Sequence, residues 1–182
     1  MTEIKTKDVP LDQFDNFEGD YMALNTIPKS YRDSVGFFII LFSALEHCVN
    51  NEIADHLSDR AHETGYRVAS TLTMKGKVDF LHNLLLRIIT TTGQNKKTKL
   101  KEFKKRLTDL NTFRNYIAHA NWGTLKKDGF VRTKILVDSS DGLVKFKMVK
   151  LPPSLINKKI DEVDLLIDEL SDFSMSVHND AL

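Results

Sequence analysis

Apolar residues recur at three- and four-residue steps over most of this chain, and the places where that period fails mark the joins between elements. Phe38, Leu41, Phe42, Leu45, Val49, Ile53 and Leu57 share one helical face, which predicts a long first helix from about Ser30. Met74, Val78, Leu81, Leu85 and Ile88 predict a second helix, capped at Ser70 and stopped by Thr90-Thr-Thr-Gly93. Leu100, Phe103, Leu107, Leu110, Phe113 and Ile117 set a third, from about Lys96 to His119. Beyond it the period drops to two. Residues 130–137 are rich in β-branched side chains, 138–142 form a turn cluster, and 143–149 are apolar again, the pattern of a β-hairpin. Pro152-Pro153 ends the hairpin. Ser154 then caps a fourth helix with the stripe Ile156, Ile160, Val163, Ile167, Leu170 and Phe173. Residues 1–28 lack helical periodicity and read as an irregular arm; residues 58–69, polar and holding Gly65, read as a loop. The expected class is all-α: a single domain over 29–182, built as a four-helix up-down bundle with a β-hairpin inserted at about 130–149.

Composition narrows the setting. The chain has 182 residues, 41% hydrophobic and 28% charged, enough for one domain with a continuous core. Its longest apolar run, residues 35–45, falls short of the ~18 of a membrane helix and is broken by Gly36 and Ser43. No basic n-region and apolar h-region open the sequence, and the single Cys48 has no second thiol to pair with. These features predict a cytoplasmic protein without a membrane partner.

The net charge of +1 conceals a segregation. Residues 94–159 hold 17 Lys and Arg against 5 acids, and residues 160–182 hold seven acids and no Lys or Arg. Two readings follow. Lys96, Lys97, Lys99, Lys101, Lys104, Lys105 and Arg106 on the third helix form a polyanion-binding face, or they are a solvated face that pairs with the acidic last helix. In the first reading Lys97, Lys101, Lys104 and Lys105 contact RNA.

Two charges sit on apolar stripes. Arg114 falls among Leu107, Leu110, Asn111, Ile117 and Ala118, and Glu46 among Ile39, Phe42, Val49 and Ile53. A cation and an anion on the apolar sides of two helices suggest a pair beside the core; the alternative is that both reach outward along the stripe edge. Asn111, Asn115 and His119 follow one another at four-residue steps on an adjoining face. A histidine at a helix C-terminus has its own simple reading, an imidazolium favoured by the dipole there.

Arg114-Asn115-Tyr116-Ile117-Ala118-His119 resembles the signature of the HEPN superfamily (higher eukaryote and prokaryote nucleotide-binding), an Arg followed by four to six residues and a His, with Asn often after the Arg. The context is similar as well: the segment closes the third helix of a four-helix pattern, with Glu46 inward on an earlier one. The resemblance covers about residues 30–178. It implies a metal-independent endoribonuclease of toxin–antitoxin, abortive-infection or other phage-defence systems, commonly a homodimer with the motif at its interface. It implies His119 as general acid/base near the ribose 2′-hydroxyl, Arg114 as stabiliser of the pentavalent phosphate and Asn115 as the residue orienting one of them, with Glu46 and Asn111 in support. The products would be a 2′,3′-cyclic phosphate and a 5′-hydroxyl, made without cofactor or metal, and an antitoxin protein would be a further partner. Members modified on Tyr carry it two residues after the His; here that position is Asn121. Non-catalytic members imply the alternative, a helical module that binds a partner protein or nucleotide.

Other constellations carry less. Glu52, Asp55, His56, Asp59, His62 and Glu63 cluster after the first helix but lack the Glu-x-x-His pairing of di-iron bundles, so a solvated helix end is expected there. No P-loop, G-x-G-x-x-G or G-x-S-x-G occurs. Trp122, three residues past His119, either stacks a base or packs over the core, packing being the commoner use.

Overall fold

A computed structural model describes residues 6–9, 27–57, 62–125, 128–137 and 144–181. They are mostly helical, with a small antiparallel sheet: β1 (Thr6–Val9), α1 (Lys29–Leu57), α2 (His62–Ser70), α3 (Met74–Thr91), α4 (Lys97–Ala118), β2 (Asn121–Leu125), β3 (Gly129–Val137), β4 (Val144–Val149) and α5 (Pro153–Asn179). The chain divides into two compact units. One is drawn from Met1–Phe37 and Tyr116–Lys158, the other from Phe38–Asn115 and Lys159–Leu182.

In the helical unit most of the predicted stripe residues are buried, but Leu41, Leu57, Ile88 and Ile167 are only half-buried, and Ile89 and Leu166 point inward in place of the last two. Phe38, Phe42, Leu45, Val49 and Ile53 of α1, Leu81, Leu85 and Ile89 of α3, Leu100 to Phe113 of the α4 stripe, and Val163, Leu166, Leu170 and Phe173 of α5 are all under one-tenth exposed. Helix directions follow from the contacts. α5 runs antiparallel to α4, with Lys96 against Asp180, Phe103 against Phe173 and Arg106 against Glu169. It runs parallel to α1, with Cys48 near Ile167, Glu52 near Ser171 and His56 near Ser174. α1 also meets α4 through an edge-to-face contact of Phe38 and Phe113 at 5.2 Å.

Three local expectations change. Residues 62–70, expected as loop, form α2, which lies back along α1 with His62 on Asp55 and Tyr66 on Asn51. The next helix is capped at Thr73 rather than Ser70: the Thr73 Oγ1 accepts from the Gly76 N–H, and Ser70 instead closes α2. Gly93 stops α3 as expected. Its φ of +71° is the left-handed conformation that lets the Gln94 N–H return to the Ile89 carbonyl.

The sheet enlarges the expected hairpin. β3 and β4 pair antiparallel, but β2 joins β3 and β1 joins β4, giving the order β1-β4-β3-β2. The described chain is therefore mostly helical, as expected, but with a four-stranded sheet in place of a lone hairpin. Part of the arm expected to be irregular supplies an edge strand; residues 10–26 of it, and the turn cluster at 138–142, lie outside the described residues. Because residues opposite one another in a ladder share a face, Val9, Leu125, Val131 and Met148 gather on one side as a buried apolar cluster. Trp122, Phe130, Arg132 and Val149 occupy the other side.

Of the described helices, α1 is by length and composition alone long and apolar enough to cross a membrane. About a third of that apolar stretch is buried, Phe38, Phe42, Leu45 and Val49 among it, whereas Phe37 and Ile40 are more than half exposed.

Candidate functional site

α4 carries most of the residues singled out from sequence. Its buried stripe is filled by Leu100, Phe103, Leu107, Leu110, Phe113 and Ile117, so the opposite side is fixed in solvent. Lys97, Lys101, Lys105, Thr108, Thr112 and Asn115 succeed one another along that exposed side. Arg114 is half-buried beside it and donates through Nη1 to the Asn115 Oδ1 at 3.0 Å. Among the described residues Arg114 has no carboxylate partner. Asn111 is half-buried one turn earlier.

The expected pairing of Glu46 with Arg114 does not form. Glu46 Oε1 accepts from the Lys77 Nζ at 2.6 Å, and Lys77 is buried. Lys77 lies between Met74 and Leu81 on the apolar side of α3, where its ammonium needs an anion. The test that isolated Glu46, a charge on an apolar stripe, also finds Lys77 when applied to α3.

The basic segment is used in two ways. Lys104 pairs with Asp79 at 2.8 Å, Lys96 with Asp180 at 2.6 Å, and Arg106 with Glu169. The hydrogen bond from Lys104 holds the Asp79 carboxyl below its ordinary range. Lys99 lies over the Phe103 and Phe173 rings. Lys97, Lys101 and Lys105 are exposed and make no ion pair among the described residues. Of the four lysines expected at RNA, Lys104 is thus already engaged with an acid of its own chain.

His119 belongs to the other unit, as the first residue after α4. It is exposed and has no hydrogen bond among the described residues. The turn that carries it is closed by the Ala120 N–H on the Ile117 carbonyl at 3.2 Å. Trp122 packs rather than standing free: its ring stacks on Phe130 at 5.6 Å and meets the edge of Tyr31 at 5.8 Å. The Tyr31 hydroxyl donates to the Phe130 carbonyl, and burial raises its pKa.

No family model, curated protein or solved structure matches the chain.

The acids and histidines around the end of α1 form a solvated end only in part: Asp55, His62 and Glu63 are exposed, whereas Glu52 and His56 turn inward. Glu52 is buried and accepts from the Ser171 hydroxyl at 2.8 Å, and the His56 Nε2 lies 2.5 Å from the Ser174 Oγ. Burial raises the Glu52 carboxyl, opposed by its serine hydrogen bonds. Burial also lowers His56, with His178 adding to the effect. Cys48, on the same seam, is pushed up to about 11 by burial and by Glu52, which makes its thiol a weak nucleophile. Asp59 lies outside the described residues; among those described no three His, Cys, Asp or Glu residues are grouped to hold a metal ion.

Sequence reasoning passed over one more charge. Arg132 of β3 is 7% exposed. Its Nε donates to the Tyr116 carbonyl at 2.9 Å and its guanidinium carbon lies 3.5 Å from the centre of the Tyr116 ring. On a strand reading Phe-Val-Arg-Thr-Lys, alternation assigns Arg132 to a face, but not to the end of a helix 16 residues away.

Proposed function

We propose that this protein is a metal-independent endoribonuclease of the HEPN type, acting in the cytoplasm in toxin–antitoxin or phage defence. The observation that carries the reading is the end of α4: Arg114, held by Asn115 and free of any carboxylate among the described residues, followed by an exposed His119. A guanidinium without an acid is a cation open to a phosphate, and an imidazole can take a proton at one nitrogen and give one from the other. In the proposed reaction His119 takes the proton of the ribose 2′-hydroxyl. The 2′-oxygen then forms its bond to phosphorus as the bond to the 5′-oxygen breaks, and the leaving oxygen takes up a proton. Arg114 stabilises the charge that builds on the phosphoryl oxygens. Lys97, Lys101 and Lys105 would hold the strand on the exposed side of the same helix.

In this reading α1, α3, α4 and α5 correspond to the four helices of the bundle, with α1 and α5 parallel rather than in the expected up-down order. The active form is a homodimer that brings two copies of the motif together, with an antitoxin protein as inhibitor. One observation favours the alternative, a non-catalytic module that binds a partner protein or nucleotide: His119 has no orienting hydrogen bond among the described residues. RNA incubated with the pure full-length protein in EDTA separates the two. Cleavage that needs His119 and Arg114 supports the nuclease; intact RNA, retained on the protein or not, supports the module.

A further inference from the structure

We propose that Arg132 is a positioning residue for His119, an inference that rests on the nuclease reading. His119 sits at the centre of a tight reversal from α4 into β2, with Tyr116 three residues before it and Trp122 three residues after. Arg132 engages both sides. Its Nε bonds the Tyr116 carbonyl at 2.9 Å, and in the β2–β3 ladder its Cα is the direct partner of Trp122.

The helix end explains why a guanidinium is used there. Carbonyls of the last helical turn have no partner within the helix, and a cation placed on them also meets the negative end of the helix dipole. Arg132 takes the Tyr116 carbonyl while the Ala120 N–H takes that of Ile117. The buried Ile117 side chain fixes the turn from a third direction. The guanidinium lies against the Tyr116 ring, which substitutes for a carboxylate. No acid among the described residues pairs with Arg132, and both its Nη1 and the Tyr116 hydroxyl are buried without a hydrogen-bond partner. A buried charge without an anion has to be held by other groups. This one is spent on a carbonyl and a ring within the motif. The reversal is thereby held in one conformation, and a proton-transferring imidazole must be held near one place to work.

The test uses full-length Arg132→Gln and, should that variant fail to fold, Arg132→Lys, which keeps the charge but loses the planar fork. The Ala120 amide should exchange with solvent about tenfold faster, while amides in α3 and α5 keep their rates. The His119 ring resonance should shift or broaden, while that of His82 stays in place. In the EDTA assay kcat should fall about tenfold to a hundredfold with KM within about twofold, the split expected when reacting groups are misplaced but the strand still binds. Tyr116→Leu removes the ring but keeps the carbonyl, and should cost kcat less. Unchanged exchange at Ala120, or faster exchange with kcat preserved, overturns the inference. If the wild-type protein leaves RNA intact, the nuclease reading falls separately. Exchange and the His119 resonance then still decide whether Arg132 holds the turn.

Discussion

Glu46 and Lys77 offer the sharpest test at the scale of single residues. Glu46→Ala leaves a buried ammonium unpaired. Because a third of the Glu46 side chain is exposed, the expected loss is about 2–3 kcal/mol rather than the ~3–5 of a fully buried pair. A double-mutant cycle with Lys77→Met by urea denaturation should show coupling, whereas Glu46→Ala and Arg114→Ala should add. Additive effects of Glu46 and Lys77 would contradict the pair. The seam of Glu52 and His56 gives a pH dependence. The folded state holds the Glu52 proton more tightly than the unfolded chain does. Its contribution to stability is therefore full below the ordinary value of 4.5 and is lost as pH rises through the raised folded value. His56 has the opposite sense: its contribution is full above 6.5 and is lost as pH falls through the lowered folded value. Stability measured from about pH 4 to about pH 8 should lose the first slope in Glu52→Gln and the second in His56→Gln. An unchanged profile in either variant would count against burial of that group. Charges on apolar stripes were legible in the sequence, and Glu46 was found that way. Which opposite charge meets it was not, because helix periodicity assigns a residue to a face without saying which helix covers that face.

At the scale of elements, Gly65 decides whether α2 can dock. A Cβ added there would lie 2.3 Å from the Ala54 Cα of α1, with backbone rather than a flexible side chain in the way. Gly65→Ala should lower stability by about 1–3 kcal/mol as α2 is forced off α1. Gly36→Ala is the control: its Cβ would meet nothing within 4 Å, so it should stabilise the helix by about 0.5–1 kcal/mol. Thermal unfolding of both variants checks this, and equal melting shifts would contradict the close approach. The same residues explain why α2 escaped a reading of the sequence. Its buried positions are Gly65 and Ala69, so the apolar stripe that marks the longer helices is missing. β1 and β2 escaped for a related reason. They are four and five residues long, and their buried members are Val9 and Leu125. Their place in the sheet is set by pairing with distant strands rather than by local pattern. The long helices, and the β3–β4 hairpin, were legible because their periods run over many residues.

At the scale of the whole molecule the account makes claims about RNA and about assembly. Charge reversal at Lys97, Lys101 and Lys105 together should weaken RNA binding and reduce its salt slope by about 2, the share of three released counterions on a single strand. An unchanged slope would make those lysines merely solubilising. Reversal of Lys104 should instead lower stability, since it faces Asp79. Light scattering should give twice the 20.8 kDa chain mass at high concentration; a mass that stays at one chain would contradict the dimer. Arg114 to His119 stand together in the sequence as six consecutive residues, whereas the bond from Arg132 to the Tyr116 carbonyl was not legible, because Arg132 reaches that turn through the fold. The central claim is that the end of α4 cleaves RNA without a metal. It is tested most directly by incubating RNA with wild-type, His119→Ala and Arg114→Ala protein in EDTA and identifying the ends produced. The account predicts 2′,3′-cyclic phosphate and 5′-hydroxyl ends from the wild type, and rates at least about a hundredfold lower from both variants at unchanged melting temperature. Cleavage that chelation abolishes and a divalent ion restores, or equal cleavage by His119→Ala, would contradict it.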